Sequence, residues 1–318
     1  LRRLQGSANR VAPYLAGIEK ISSMTGRVIE IRLSSPQPRL LELLAQPEAA
    51  VTRKAIGAGP LRLVSSKGGV FRLRQWQEET SSGEDVVALQ GADAARAVGR
   101  YALGGAHLVG GGTFADLGLA RAAKRPASEL RFDPANGLFG FVIASASPFL
   151  GSAEVRSALS MTLDREKLLK SFNVPGWRQA VSIIPAQMEL PTPPAAQDWL
   201  ALDVDDRLSR AAGLIASWRA RNGDVPVLKV AVPKGPGGRL LYASIAADWA
   251  RLGVRLQMVT SGPSDLRLID EVAPQASASW YLTRLSCARV KPCSGKGEEA
   301  LRAAFAASDM QQQAKKLG

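Results

Sequence analysis

Between Val225 and Val259 the chain reads VPVLKVAV, then GGRLLYASIAADWARLG, then VRLQMV. The outer runs are rich in Val and Leu at strand length. In the middle run, Leu241, Ile245, Trp249 and Leu252 fall on one face of a helix, and Gly253 closes it. A strand, a helix and a second strand at this spacing form a βαβ unit, whose two strands lie parallel with the helix packed across them. A parallel pair must be buried on both faces, so this stretch commits the chain to a layered α/β architecture. At 318 residues and 33.7 kDa the chain exceeds one small core, and about two domains are expected.

Other segments read as follows. Leu1–Ile21 has a helical pattern. Val28–Leu33 alternates as a strand, and RLLELLAQP is helical. LRLVSS and GVFRLRQW about Lys67, Gly68 and Gly69 form a hairpin. Val86–Leu89 and His107–Val109 read as parallel strands joined by a helix over Ala92–Leu103, with the Gly-rich turn Gly110–Thr113 at the strand end, where ligands of open α/β sheets gather. SELRFDPANGLFGFVI reads as two strands about Asn136-Gly137. In Ser152–Leu169, Val155, Ala158, Leu159 and Leu163 make an apolar helix face capped by Ser152, and Asp164 starts a second short helix. Five prolines between Ser171 and Asp198 predict an irregular loop, packed by Trp177, Ile183, Ile184 and Met188. Leu208, Ala211, Ala212, Ile215 and Trp218 predict a helix ended at Gly223. Asp265–Ala273 reads as a short helix, ASASWYLTRL as a strand, and Glu298–Ser308 as a last helix.

Composition narrows function by exclusion. Lys plus Arg number 41 against 28 Asp plus Glu, a net charge of +13, but the basic residues are scattered and aromatics are only 6%. A single-strand nucleic-acid platform needs basic and aromatic residues interleaved, so nucleic acid is not the expected partner. His107 is the only histidine, which disfavours a His-built metal centre or a His-based triad. GxSxG, HExxH and phosphate-loop patterns are absent, and the run Gly110–Thr113 lacks a Walker lysine. Asp203, Asp205 and Asp206 cluster where a helix begins and read as capping residues; Asp164, Arg165 and Glu166 read as capping plus ion pairing. No enzyme activity, metal or cofactor is expected. Cys287 and Cys293 form either a disulfide around a small loop or two free thiols; the first fits an oxidising compartment. No uncharged apolar run reaches membrane-spanning length, and any leader ahead of Leu1 is expected to have been removed or to lie outside this fragment.

Three phrases, GAGPLRLV, VRSALSMTLDREKLL and IAADWARLGV, occur in the order in which similar phrases occur in the family 5 extracellular solute-binding proteins of bacterial ABC importers, and the chain resembles that family from its start to about Leu285. The resemblance implies an α/β, two-lobe, periplasmic-binding-protein-like fold of the Venus-flytrap type with its amino-terminal part missing or reduced. Residues 1–56 would be a remnant of the small extra domain and lobe one, 57–128 lobe one, and 129–318 lobe two. It implies a monomer in the periplasm that captures a small solute and delivers it to an ABC permease in the inner membrane. A two-lobe receptor needs aromatic and polar groups converging on its ligand. Trp280 and Tyr281 on one side, with Gly111, Thr113 and Phe114 on the other, are the candidates. Peptide-binding members carry an Asp three residues after such a Trp to hold the peptide ammonium; Thr283 stands there and cannot supply a charge-assisted bond. Rival readings are a ligand-sensing domain of a transcription regulator and a basic anion- or nucleic-acid-binding protein.

Overall fold

A computed structural model describes residues 15, 17–34, 37, 40–53, 56–57, 59–75, 86–185, 188, 190–191, 194, 196–274, 277–290, 292–307 and 310–317. The chain divides into two units, Leu1–Gly111 and Gly112–Gly318.

In the first unit, β1 (Ile18–Ser23) and β2 (Ile29–Leu33) form an antiparallel hairpin, with Ile21 opposite Ile31. A short helix α1 (Leu40–Leu44) supplies Leu43 to a small cluster with Leu15 and Ile18. Of the helix expected over Leu1–Ile21, residues 1–14 lie outside the described residues, and its end is strand β1. Strands β3 (Thr52–Arg53) and β4 (Ile56–Gly57) make a minimal pair. Next come β5 (Leu61–Lys67), β6 (Val70–Gln75) and β7 (Val86–Gln90), an antiparallel sheet in that order whose first turn carries Gly68 and Gly69 at positive φ, as the hairpin pattern predicts. The register places Leu61, Leu63, Phe71, Val87 and Leu89 on one sheet face, all exposed. Helix α2 (Ala94–Ala102) follows, capped by Asp93, whose carboxylate accepts from Arg96 N at 3.0 Å. The parallel pairing of Val86–Leu89 with His107–Val109 is not found. Strand β7 pairs with β6 instead, and residues 106–113 have no regular structure, with Leu108 84% exposed.

The second unit holds the main core. Its sheet has the order β10-β9-β11-β8, where β8 is Gly137–Ile143, β9 is Leu228–Ala231, β10 is Leu256–Val259 and β11 is Leu266–Val272. Strands β9, β10 and β11 run parallel, and β8 is antiparallel to β11. Between β9 and β10 lies the helix Pro236–Ala250, closing the βαβ unit that the sequence predicts. Gly253 follows it with φ +72°, a conformation that costs glycine nothing.

Numbered along the chain, this unit's helices are α3 (Leu117–Ala122), α4 (Pro148–Gly151), α5 (Ala153–Thr162), α6 (Arg165–Phe172), α7 (Val204–Asn222), α8 (Pro236–Ala250), α9 (Ala278–Arg284), α10 (Gly295–Phe305) and α11 (Met310–Leu317). Ser152 caps α5, Asp164 caps α6 and Asp203 caps α7 through their side-chain oxygens. Asn173 ends α6 in the left-handed region and Gly223 ends α7 at φ +90°. Val155, Ala158 and Leu159 of α5, Ala211, Ile215 and Trp218 of α7, and Leu241, Ile245 and Trp249 of α8 are buried in one cluster with Leu228 and Val230 of the sheet. Each such large side chain contributes about 1.5–3 kcal/mol through removal from water. Trp249 Nε1 donates to Leu159 O at 2.9 Å, so the indole that fills the core also ties α8 to α5.

Asp265 joins three strand ends. Its Oδ1 accepts from Ser145 Oγ at 2.6 Å and its Oδ2 from Lys229 N at 2.8 Å, while its backbone exchanges bonds with Lys229 and Ala144. Four expectations fail in this unit. The segment expected as a helix over Asp265–Ala273 is strand β11, and the ASASWYLTRL strand is helix α9. SELRFDPANGLFGFVI gives one strand rather than a hairpin, because β8 pairs with the distant β11. In the proline-rich loop Ile184 is buried, but Ile183 and Trp177 remain 44% and 40% exposed.

Candidate functional site

The first unit ends at Gly111, and the segment from Gly112 to Gly118 opens the second. Gly111 has φ +78°, which a residue with a side chain rarely adopts. Thr113 N and Oγ1 both donate to Asp116 Oδ2, at 3.2 and 3.3 Å, and Ala115 N donates to Thr113 Oγ1. The start of α8 then presses on this segment without side chains between. A Cβ on Gly237 would meet Phe114 O at 2.0 Å, one on Gly235 would meet Ala115 O at 2.6 Å, and Gly237 N donates to Ala115 O at 3.0 Å. The glycines after Pro233 are therefore what allow the helix to lie on the backbone at Phe114. A shallow depression of about 80 Å³ beside this contact is lined by Phe114, Gly118, Arg121, Phe172 and Pro236, and no residue of α9 lines it.

Phe114 is buried at the root of an aromatic cluster that no sequence motif announces. Its ring meets Phe139 of β8 edge-on at 4.9 Å and Phe172 of α6 at 5.9 Å. Trp177, in the proline-rich loop, lies 5.6 Å from Phe172 and 6.4 Å from Phe139. Phe139 and Trp177 each keep about two fifths of their surface in solvent, at 41% and 40% exposed. Asp270 of β11 is the register partner of Phe139, so the two side chains share one sheet face. Desolvation by burial raises the Asp270 pKa. Only the sheet register, unreadable before β8 and β11 are known to pair, brings these residues together.

The remaining candidates sit on α9. Trp280 and Tyr281 are buried, with their rings edge-on at 4.8 Å, and lie outside the main core cluster. Arg284 stacks on Trp280 at 5.1 Å and pairs with Glu271 of β11 at 2.6 Å. Among the described residues, Trp280 Nε1 and Tyr281 Oη have no hydrogen-bond partner. Burial raises the Tyr281 phenol above its ordinary pKa. Thr283 Oγ1 donates to Ser279 O at 2.6 Å, so its proton is held within the helix. Gly111, Thr113 and Phe114 thus belong to one turn, and Trp280, Tyr281 and Thr283 to one helix. Cys287 and Cys293 are joined as a disulfide with Cα atoms 5.2 Å apart, and Cys287 N donates to Glu298 Oε2 at 2.8 Å.

The charged residues of the helix joint divide their roles. Asp164 caps, and Glu166 pairs with Lys170 at 2.7 Å. Arg165, expected in an ion pair, instead donates to Ser160 O and Oγ at 2.9 and 2.8 Å and covers the Trp199 ring. Burial, and then the nearby Arg207 charge, push the Arg165 pKa down. Among the described residues no cluster of three or more His, Cys, Asp or Glu could hold a metal ion, and no helix is long and apolar enough to cross a membrane.

The fold is that of periplasmic binding proteins. OppA of Burkholderia pseudomallei superposes with a TM-score of 0.72 at 17% identity, over 93% of this chain and 65% of that one. DppA from Helicobacter pylori, in complex with the peptide STSA, gives 0.67 at 16% identity over 99% and 70%. AgaA from A. tumefaciens R10, in complex with agropinic acid, gives 0.65 at 15% identity over 99% and 71%. The chain thus spans about two thirds of their length. No curated protein matches it. The chain belongs to the bacterial extracellular solute-binding proteins, family 5 (middle), whose profile matches residues 3–283.

Proposed function

We propose that this protein captures a small solute outside the cytoplasm, releases it chemically unchanged, and delivers it to an ABC permease of the inner membrane. The observation that carries this is the family match over residues 3–283. The α/β core with its βαβ unit is in keeping with it. Trp280, Tyr281 and Thr283 of α9, with Gly111, Thr113 and Phe114, are the residues proposed to meet the solute. Two features support α9: an aromatic pair buried outside the main core, and indole and phenol groups with no partner among the described residues. A ligand that accepted their hydrogen bonds would remove the cost, about 1–3 kcal/mol, of each buried unsatisfied donor.

The solved relatives hold chemically different solutes, a peptide in DppA, agropinic acid in AgaA and Ni(L-His) in NikZ from Campylobacter jejuni. With a threonine at 283 whose proton is committed to Ser279, a peptide held by its free ammonium at this position is not the expected ligand. A thermal-shift screen over peptides, polyamines, opines and sugars tests the proposal, since a ligand that binds only the folded form raises Tm. A hit whose shift disappears in Trp280→Ala supports α9 as the site. Failure of every class to raise Tm, with permease-reconstituted vesicles showing no stimulated uptake, would overturn capture and delivery.

A further inference from the structure

Phe139 and Trp177 leave two aromatic faces in solvent, and both rest on the buried Phe114 and Phe172, so the pair is held from beneath rather than free to fold over. Exposed aromatics scattered singly are ordinary, but here two adjoin and a carboxylate is the cross-strand partner of one of them. Asp270 and Phe139 are opposed across β11 and β8, which sets their Cβ atoms about 4.5–5.5 Å apart on the same face. Among the described residues no basic side chain pairs with Asp270 and no donor bonds to it, while burial alone accounts for its raised pKa. Asp270 is exposed, so a solute can reach its carboxylate, and an opposite charge beside it would favour the ionised form. Rings present their electron-rich faces to cations, so an ammonium is attracted to such a site.

We infer that Phe139, Trp177 and Asp270 form a binding site for an alkylammonium group, the two rings contacting its alkyl shell and the carboxylate its charge. The site takes the ammonium of a free amine or quaternary solute, or that of a lysine side chain in a short peptide; both share one chemistry. It lies wholly within the second unit and uses none of the residues of α9. It rests on the capture proposal only for the fate of the bound solute, since binding itself is directly measurable.

The full chain is titrated calorimetrically with choline, putrescine and trilysine, and with 3,3-dimethyl-1-butanol, the neutral isostere of choline. The expected result is that at least one of the three cations binds, that the neutral isostere binds at least tenfold more weakly than choline where choline is the ligand, and that Asp270→Asn and Trp177→Ala each weaken binding at least tenfold. Preference for choline or putrescine over trilysine identifies a free solute, and the reverse a cationic peptide. Asp270→Asn is isosteric at a solvent-facing position, so it keeps the test valid should Trp177→Ala misfold by circular dichroism. Absence of binding by all three cations, equal binding of the neutral isostere, or unchanged affinity in Asp270→Asn each overturns the site. If cations fail while an opine or sugar still raises Tm in wild type and in Asp270→Asn alike, the ammonium site falls and capture stands. If cations bind but vesicles show no delivery, the site stands and the transport role falls.

Discussion

Gly237 makes the tighter of the two glycine contacts by which the start of α8 approaches the Phe114–Ala115 backbone. Gly237→Ala would place a methyl 2.0 Å from the Phe114 carbonyl, a collision with backbone rather than with a yielding side chain. The expected cost is about 1–3 kcal/mol, read as a lowered urea midpoint by far-UV circular dichroism. Asp270 makes a prediction of opposite sign. Its folded-state pKa is raised, so the folded protein holds that proton more tightly than the unfolded chain. The associated stability is complete below the unfolded value, about 3.9, and is lost as pH rises through the folded value. At neutral pH the ionised carboxylate is therefore a liability in the ligand-free protein. Asp270→Asn should raise the ligand-free Tm at pH 7 and bring little change near pH 3.5, a pair of scans that distinguishes this from a general packing effect.

At the scale of elements, Asp265 holds β8, β9 and β11 in register through one carboxylate. Asp265→Ala leaves the Lys229 N–H and the Ser145 hydroxyl without their acceptor and should cost about 2–3 kcal/mol in chemical denaturation, with Asp265→Asn losing less. The Cys287–Cys293 bridge acts locally. Closing so short a loop is worth about 2 kcal/mol by chain entropy, and reduction should release the amide protection of Cys287 and Gly297 at the start of α10 while leaving α8 protected, as hydrogen exchange would show. Elements whose signals are local were legible in the sequence: the βαβ unit, the Gly68-Gly69 hairpin, and the helices capped by Ser152, Asp164 and Asp203. Those decided by distant partners were not. Strand β11 carries Leu266, Leu268 and Ile269 among charges in too short a run for its period to declare itself, and it is set by pairing with β8. Adjacent Trp280 and Tyr281 have strand-forming side chains, yet both are buried. A half-exposed strand would send one of them to water, whereas one side of a helix accommodates both. The aromatic cluster lay beyond reach for the same reason, since Phe114, Phe139, Phe172 and Trp177 are spread over a turn, a strand, a helix and a loop.

For the whole molecule, the boundary between the two units falls in an irregular stretch rich in glycine. Leu103 and Leu108 there are 90% and 84% exposed, and residues 106–113 carry no regular hydrogen-bonded structure. Thermolysin, which cuts before large apolar residues, should cleave first before Leu103 or Leu108 under native conditions, leaving one fragment that ends near residue 107 and one that carries the main core. Early cleavage within β9 or α8 instead would mean that the core opens before this stretch does. The tryptophans offer a further consequence. Trp199, Trp218, Trp249 and Trp280 are buried, and Trp177 stands 40% in solvent. Under selective excitation the folded protein should accordingly emit as two populations, a blue one that iodide cannot reach and a red-shifted one, including Trp177, that it extinguishes. Whatever settles over that indole would be seen as light recovered from the quencher.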